Sequence, residues 1–181
     1  MVKIRSKITL KILDYYFLNP DKKHYINELA EILDLDPGNL FRKLRELEQD
    51  GILISESRGN QKHYSLNKNY SLLKEFKKTY QARYGLSNLI KEKLARIKGL
   101  KEAYIFGSYA SDSLNQESDI DILLVGEHSS IESKKLIIPL QKNIGREINI
   151  IDMTKKELNK RKKEGDEFIK NIFSNKVVKL L

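Results

Sequence analysis

The chain of 181 residues contains no cysteine, which excludes disulfide bonds and zinc sites built on thiolate ligands. Its three histidines, His24, His63 and His128, are far apart in the sequence, which disfavours a metal site built on imidazole groups. A chain without cysteine suits a reducing compartment, so we expect the protein to be cytoplasmic.

Long hydrophobic runs are also absent. A membrane-spanning helix needs about 20 consecutive apolar residues. The start of the chain, Met-Val-Lys-Ile-Arg-Ser-Lys-Ile, is instead interrupted by charge at every second residue. We therefore expect no signal peptide, no membrane span and no membrane partner. With 40% hydrophobic residues the chain can still bury a core, in one medium domain or two small ones.

The net charge of +9 is unevenly distributed. Residues 71–98 hold eight Lys and Arg against two Asp and Glu, whereas residues 1–70 hold 12 against 10 and residues 99–181 hold 14 against 13. A basic excess is typical of nucleic-acid-binding proteins. Because much of the basic excess falls on one connecting segment, a solvated helix face explains this excess about as well as nucleic-acid binding does.

The first part of the chain predicts three helices followed by a β-hairpin. Apolar residues recur at helical spacing over residues 5–18 and 26–33. A third helix begins with Asp36 as N-cap and Pro37 as its first residue, and ends at Asp50-Gly51. Two alternating runs, residues 52–56 and 62–66, follow on either side of a Gly-Asn turn.

This order of elements resembles the winged helix-turn-helix domain over residues 1–68. The resemblance implies that the third helix enters the major groove of double-stranded DNA and that the hairpin, the wing, touches the backbone. It also implies transcription regulation. The residues implicated in DNA binding are Asn39, Arg42, Lys43 and Arg45 on the helix, and Arg58 and Lys62 on the wing.

Such domains also serve purely for dimerisation or protein docking, and the third helix ends in acidic residues that dilute its positive field. Residues 69–98 predict one long connecting helix, with Gly85 midway as a candidate bend. Its long apolar stripe suits either packing against a second copy in a homodimer or packing on the chain's own domains.

From residue 99 onward, strands and helices alternate. Strands are predicted over residues 101–106, 119–125, 146–152 and 177–181, with helices over 131–143, after Thr154, and over 167–173. A small mixed sheet with helices on one side gives the chain an α+β fold overall.

Two aspartates stand at the start of the second of these strands. Asp119 and Asp121 are two residues apart and therefore project to the same face. Two like charges at the start of a buried strand repel each other and need a neutralising partner. Mg²⁺ is a candidate, because it is held by one or two carboxylates plus substrate phosphates. Gly107-Ser108, where the preceding strand turns into a helix, offers backbone N–H groups to phosphate. Acidic residues at an exposed strand end are the simpler alternative.

These residues resemble the signature of the DNA polymerase β-like nucleotidyltransferases. The signature stands here as Phe106-Gly107-Ser108, a gap of ten residues, and Asp119-Ile120-Asp121-Ile122. The small members, called minimal nucleotidyltransferases, also show Gly-Ser-x-Ala and Ser-Asp-x-Asp, both present. The resemblance covers residues 100–152. The stretches from Gly145 to Asn149 and from Gly165 to Phe168 also resemble the sequences of a subgroup in which this domain follows a winged helix.

The resemblance implies transfer of a nucleoside monophosphate, AMP from ATP, to a hydroxyl with loss of pyrophosphate, using Mg²⁺ or Mn²⁺. Gly107 and Ser108 would bind phosphates, and Asp119 and Asp121 would ligate metal. The third acidic position of the family is Asn149, which offers a carbonyl oxygen to a metal but cannot act as a base.

Two acidic residues lie near that third position. Glu147 shares the face of Asn149 and is the candidate substitute, while Asp152 lies on the opposite face. Three functions therefore stay open. They are a transferase coupled to a DNA-binding domain, a transcriptional regulator whose degenerate transferase domain only senses a nucleotide, and an antitoxin-like partner that modifies or blocks a toxin.

Overall fold

The computed structural model describes residue 4 and residues 6–181, which form two compact units. Residues 1–3 and residue 5, where the first helix was predicted to begin, lie outside the described part. The first unit extends to Gly85 and includes Lys142–Gly145, and the second comprises Leu86–Gln141 and Arg146–Leu181. Both combine helices with a small sheet, which confirms the α+β class.

The first unit has a helix–strand–helix–helix–strand–strand order, followed by one more helix. Its elements are α1 (Lys7–Leu18), β1 (Lys23–Tyr25), α2 (Ile26–Leu33), α3 (Pro37–Gln49), β2 (Leu53–Arg58), β3 (Gln61–Leu66) and α4 (Leu73–Arg83). The three strands form an antiparallel sheet in the order β1-β3-β2. β1 has three residues and was not predicted, because so short a strand has no visible alternation.

Local signals set the ends of α3. The Asp36 carboxylate accepts a 2.8 Å hydrogen bond from the Asn39 backbone N–H, so the predicted N-cap is present. Gly51 follows the helix with a φ of +77°, a backbone conformation that favours glycine. Along the helix Leu40, Leu44 and Leu47 are buried in the core of the unit, as their spacing predicts.

The single connecting helix predicted over residues 69–98 is wrong. The structure has α4 up to Arg83 and a separate α5 (Leu86–Leu94), with Tyr84 and Gly85 out of helical structure between them. Tyr80 is buried in the core of the first unit, whereas Leu86 and Ile90 are buried in the second unit. The continuous apolar stripe on which the homodimer expectation depended is therefore absent from this described segment.

The second unit is a four-stranded mixed sheet with helices. Besides α5 its elements are β4 (Leu100–Phe106), α6 (Gly107–Ala110), β5 (Ile120–Gly126), α7 (Ser130–Ile137), β6 (Ile148–Met153), α9 (Lys155–Lys163), α10 (Glu167–Ser174) and β7 (Val178–Lys179). The short helix α8 (Leu140–Ile144), between α7 and β6, has its last three residues in the first unit. The strand order is β6-β5-β4-β7, and only β5 and β6 run parallel. The predicted helix over residues 131–143 is interrupted because Pro139 lacks a backbone N–H.

β5 is the central buried strand of this sheet. Leu123 and Val125 pack in a cluster with side chains of β6, α9 and α10, while Ile122 and Leu124 are buried on the opposite face. This confirms the prediction of a buried strand, which is covered on both faces beyond its first residues. Among the described residues, none of the helices combines the length and apolar character that a bilayer crossing requires.

A carboxyl group in α1 of the first unit carries a stability cost. Burial raises the pKa of Asp14 to about 7, and a hydrogen bond with the Tyr80 side chain only partly opposes that rise. The ordinary pKa of an unfolded aspartate is about 3.9. The folded unit therefore binds this proton more tightly than the unfolded chain, and its stability should fall as pH rises from about 4 to 7.

We predict that Asp14→Asn removes most of this pH dependence. Between pH 5 and pH 8 the wild type should lose on the order of 2 kcal/mol more of its free energy of unfolding than the variant. Urea unfolding followed by tyrosine fluorescence measures this, since the chain lacks tryptophan and seven of its nine tyrosines precede residue 86. Asp50→Asn, at an exposed residue, is the control. Equal pH dependence in wild type and Asp14→Asn would contradict the assignment.

Candidate functional site

Three strands bring the candidate residues into one row. Asp121, the second residue of β5, pairs with Phe106 on the antiparallel strand β4 and with Asn149 on the parallel strand β6. Paired residues on neighbouring strands project to the same face, so these three side chains lie side by side. Asp119 lies just before β5, so the observed strand begins one residue later than the predicted strand.

Asn149 bridges the two aspartates. Its Nδ2 donates to Asp119 Oδ2 at 3.2 Å and to Asp121 Oδ1 at 3.3 Å. The amide therefore places its partial positive charge between two carboxylates that would otherwise repel each other. Both carboxylates are partly buried, which makes this compensation more valuable than it would be in open water.

The two other acidic candidates do not join this pair. Within the described part of the chain, no group of three or more acidic or histidine side chains is placed to hold a metal ion. The expectation that Glu147 substitutes for the missing carboxylate is therefore not supported. Asp152 is engaged elsewhere, since its carboxylate lies 2.8 Å from His128 Nε2 and accepts a 2.6 Å hydrogen bond from Ser130.

The turn after β4 lies against the Asp121 carboxylate. Gly107 has a φ of +71°, and a Cβ at this position would lie 2.8 Å from Asp121 Oδ2. Glycine is thus required both by the backbone conformation and by the close approach of the carboxylate. Ser108, the next residue, is partly buried in the one-turn helix α6.

Hydrogen bonds hold the loop that leads to Asp119. The Ser118 hydroxyl donates to Asn115 Oδ1 at 2.9 Å, and the Ser118 carbonyl accepts a hydrogen bond from the buried guanidinium of Arg146. The Ile120 backbone N–H donates to the Glu147 carbonyl at 3.0 Å, which ties the start of β5 to β6. Arg146 therefore positions Asp119. A single sequence shows it only as the first residue of a predicted strand.

The two carboxylates suit a hard cation under one condition. Mg²⁺ uses oxygen ligands and is often held by one or two carboxylates plus substrate phosphates, and Mn²⁺ favours the same donors. Asp119 and Asp121 supply the carboxylates, while Asn149 presents its amide nitrogen to them. The donor set therefore fits Mg²⁺ or Mn²⁺ when phosphate oxygens complete it.

The residues implicated in DNA binding belong to the first unit and interact largely with one another and with acids. On α3, Arg42 donates to the Asn39 side chain, Lys43 lies 2.7 Å from Glu46, and the Arg45 guanidinium lies 5.9 Å from the centre of the Phe41 ring.

The wing residues are paired in the same way. Arg58 forms an ion pair with Glu56, and Lys62 lies 2.8 Å from Glu48 Oε2. The hydrogen bond to Glu48 raises the pKa of Lys62. These carboxylates reduce the positive field of the hairpin, as the acidic end of α3 suggested.

Comparison with known families identifies the second unit. The family described as "Nucleotidyltransferase domain" matches residues 87–179, more than half of the chain. The chain belongs to the nucleotidyltransferase-domain family. The matched range is wider than the motif-based resemblance over residues 100–152, because it also takes in α5 and the two helices after β6. The nucleotidyltransferase domain includes the whole row of Phe106, Asp121 and Asn149.

One curated relative is similar to part of this chain. A Methanocaldococcus jannaschii protein named "Putative protein adenylyltransferase" is 37% identical over 70 residues, which cover 38% of this chain and 59% of that protein. The chain thus spans about three-fifths of the length of the curated relative that it matches. Family and relative together support nucleotide transfer as the class of chemistry.

Two solved structures show a weaker likeness. One is a toxin–antitoxin crystal structure with AMP-PNP, with a TM-score of 0.39 and 21% identity over 53% of this chain and 73% of the other. A crystal structure of a toxin–antitoxin MntA-HpeT mutant gives 0.39 and 18% over 52% and 72%. Likeness at this level carries no argument about function.

Gly107→Ala should push the Asp121 carboxylate away from the turn after β4. We expect it to weaken binding of ATP with Mg²⁺ at least tenfold in isothermal titration, because the new methyl group displaces the Asp121 carboxylate. Gly165→Ala is a matched control, since its φ of +70° imposes the same backbone strain but a Cβ there meets nothing within 4 Å. The backbone strain by itself should cost each variant about 1 kcal/mol of stability. Equal ATP affinity in the two would contradict the assignment.

Proposed function

We propose that this chain transfers a nucleoside monophosphate, AMP from ATP, to a hydroxyl acceptor. In this proposal Gly107 and Ser108 bind the phosphates and Asp119 and Asp121 hold Mg²⁺ or Mn²⁺. The observation that carries it is the close approach of the Gly107 turn to the Asp121 carboxylate, which joins the candidate phosphate-binding and metal-binding residues into one site. That site lies within the residues matched by the family.

The reaction forms one bond and breaks another at the α-phosphorus. The acceptor oxygen attacks phosphorus, the bond to the bridging oxygen of the β-phosphate breaks, and pyrophosphate leaves. A bound divalent cation would supply charge neutralisation for the phosphate oxygens. The hydroxyl proton has to pass to one of the two carboxylates or to solvent, because the Asn149 amide has no basic atom.

The relative's name favours AMP as the transferred group and a protein as the acceptor, so a Ser, Thr or Tyr hydroxyl is the acceptor class we propose. A toxin partner, which this chain would modify or block, is a narrower version of the same idea. No contact among the described residues argues for a toxin partner. The labelling assay would indicate one if the labelled acceptor were a toxin.

The proposal predicts label transfer that depends on both aspartates. With α-labelled ATP, Mg²⁺ or Mn²⁺, and cell extract, the wild type should label an acceptor and release pyrophosphate. Asp119→Asn and Asp121→Asn should each reduce labelling about 100-fold or more, because loss of even a supporting residue of a metal site costs about 10–100-fold. Glu117→Gln, an exposed carboxylate in the same loop, should leave it unchanged.

The same assay separates the enzyme from a nucleotide sensor. Asn149→Asp should strengthen metal binding and raise turnover, because it replaces an amide donor by a third oxygen ligand. If wild type and Asn149→Asp both bind ATP tightly yet neither labels an acceptor nor releases pyrophosphate, transfer is refuted and the regulator that only senses a nucleotide is favoured.

For the N-terminal part we infer a winged helix that binds double-stranded DNA and regulates transcription. Support comes from the order of elements in the first unit and from the exposure of Arg42 and Arg45 on α3 beside the β2–β3 hairpin. The domain division proposed from the sequence is residues 1–68 for the winged helix, 69–98 for a connecting segment and 99–181 for the nucleotidyltransferase domain. Of the connecting segment, α4 belongs to the first compact unit and α5 to the second.

Duplex binding should depend on α3 and not on charge alone. Arg42→Ala with Arg45→Ala should weaken binding of duplex DNA at low salt more than tenfold in a gel shift, since these side chains would contact base edges and phosphates. Lys74→Ala with Lys78→Ala removes the same charge from exposed positions of α4 and should have a smaller effect. A wild type that binds no duplex at low salt would exclude DNA binding.

A further inference from the structure

A pocket of about 330 Å³ adjoins the candidate site in the second unit. Its lining includes Phe106 and Gly107 at the end of β4, and Phe168, Asn171, Ile172 and Lys176 on α10 and just after it. These two parts of the chain are some 60 residues apart, so the pocket could not be predicted from the sequence, where its one visible sign is an aromatic residue at the start of an amphipathic helix.

The pocket is continuous with the row of site residues. Gly107 belongs both to its wall and to the turn against Asp121. Phe106 pairs with Asp121 across β4 and β5 and therefore projects to the same face of the sheet. A ligand whose phosphates lie at the Gly107 turn thus has this pocket next to it.

The walls have the chemistry of a nucleobase site. The Phe168 ring is 38% exposed, and its position is fixed by Phe106, edge-on with ring centres 6.1 Å apart, and by the Arg161 guanidinium 5.8 Å away. A fixed aromatic ring with open surface is a stacking platform for a base. The Asn171 side chain is an amide, which can donate to and accept from an adenine edge.

We propose that this pocket holds the nucleoside part of the nucleotide, with the base stacked on Phe168 and read by Asn171. Lys176 lies at the same pocket, where its charge suits the oxygens of the sugar and phosphate. A volume near the lower end of small-molecule pockets suits a nucleoside. This assignment rests on the proposed nucleotidyltransferase function.

Binding of two related ligands tests the pocket separately from the phosphate site. Titrations use ATP with Mg²⁺ and inorganic triphosphate with Mg²⁺, which carries the phosphates without a nucleoside. Phe168→Ala should weaken ATP binding roughly tenfold and leave triphosphate binding unchanged. Ile131→Ala, at an 81% exposed residue of α7, is the control for loss of a surface hydrophobic group and should change neither.

A tryptophan reporter gives an independent measurement that retains the aromatic ring. Because the chain has no tryptophan, Phe168→Trp introduces a single fluorophore into the pocket. ATP should quench it by stacking, whereas triphosphate should not. Ile131→Trp, outside the pocket, should respond to neither ligand.

The outcomes distinguish the two proposals. A wild type that binds neither ATP nor triphosphate overturns the proposed function and this assignment with it. A wild type that binds both, together with unchanged ATP affinity in Phe168→Ala and no quenching in Phe168→Trp, overturns the nucleoside pocket alone. If Phe168→Ala retains ATP affinity but loses label transfer, the pocket serves the acceptor and the assignment is wrong.

Discussion

The repulsion between Asp119 and Asp121 is the constraint around which the second unit is organised. Both carboxylates stand at the open end of a strand whose remaining residues are buried on both faces, so they cannot separate without disturbing the sheet. The Asn149 amide lowers the cost by donating to both. This partial compensation by the protein itself lets the two carboxylates lie close together in the folded chain without a cation.

That constraint also explains the neighbouring backbone. Gly107 leaves room for the Asp121 carboxylate, and Arg146 holds the carbonyl next to Asp119. The parallel pairing of β5 with β6 brings Asn149 level with Asp121, while the antiparallel pairing with β4 brings Phe106 to its other side. One row of the sheet therefore joins a polar end, suited to phosphate and metal, to an apolar end that borders the pocket.

The features that sequence predicted are those encoded over short distances. The Asp36 cap, the hairpin and the strands around the Gly107 turn depend on residues within a few positions of one another, and all appear in the structure. The uninterrupted helices were wrong where apolar periodicity was followed across Gly85 and Pro139. The bridging Asn149 amide and the wall formed by Phe168 were not predictable, because they depend on contacts between segments far apart in the chain.

The amide at position 149 also has a consequence for variation among descendants of this sequence. Asparagine and aspartate have nearly the same shape, and their codons differ by a single base, so a three-carboxylate site is one point mutation away. That mutation would exchange two attractive hydrogen bonds for two repulsive contacts. Under the proposed metal-binding role, the metal-free protein would become less stable just as its cation affinity rose, so selection on this codon would depend on the cellular supply of divalent ions.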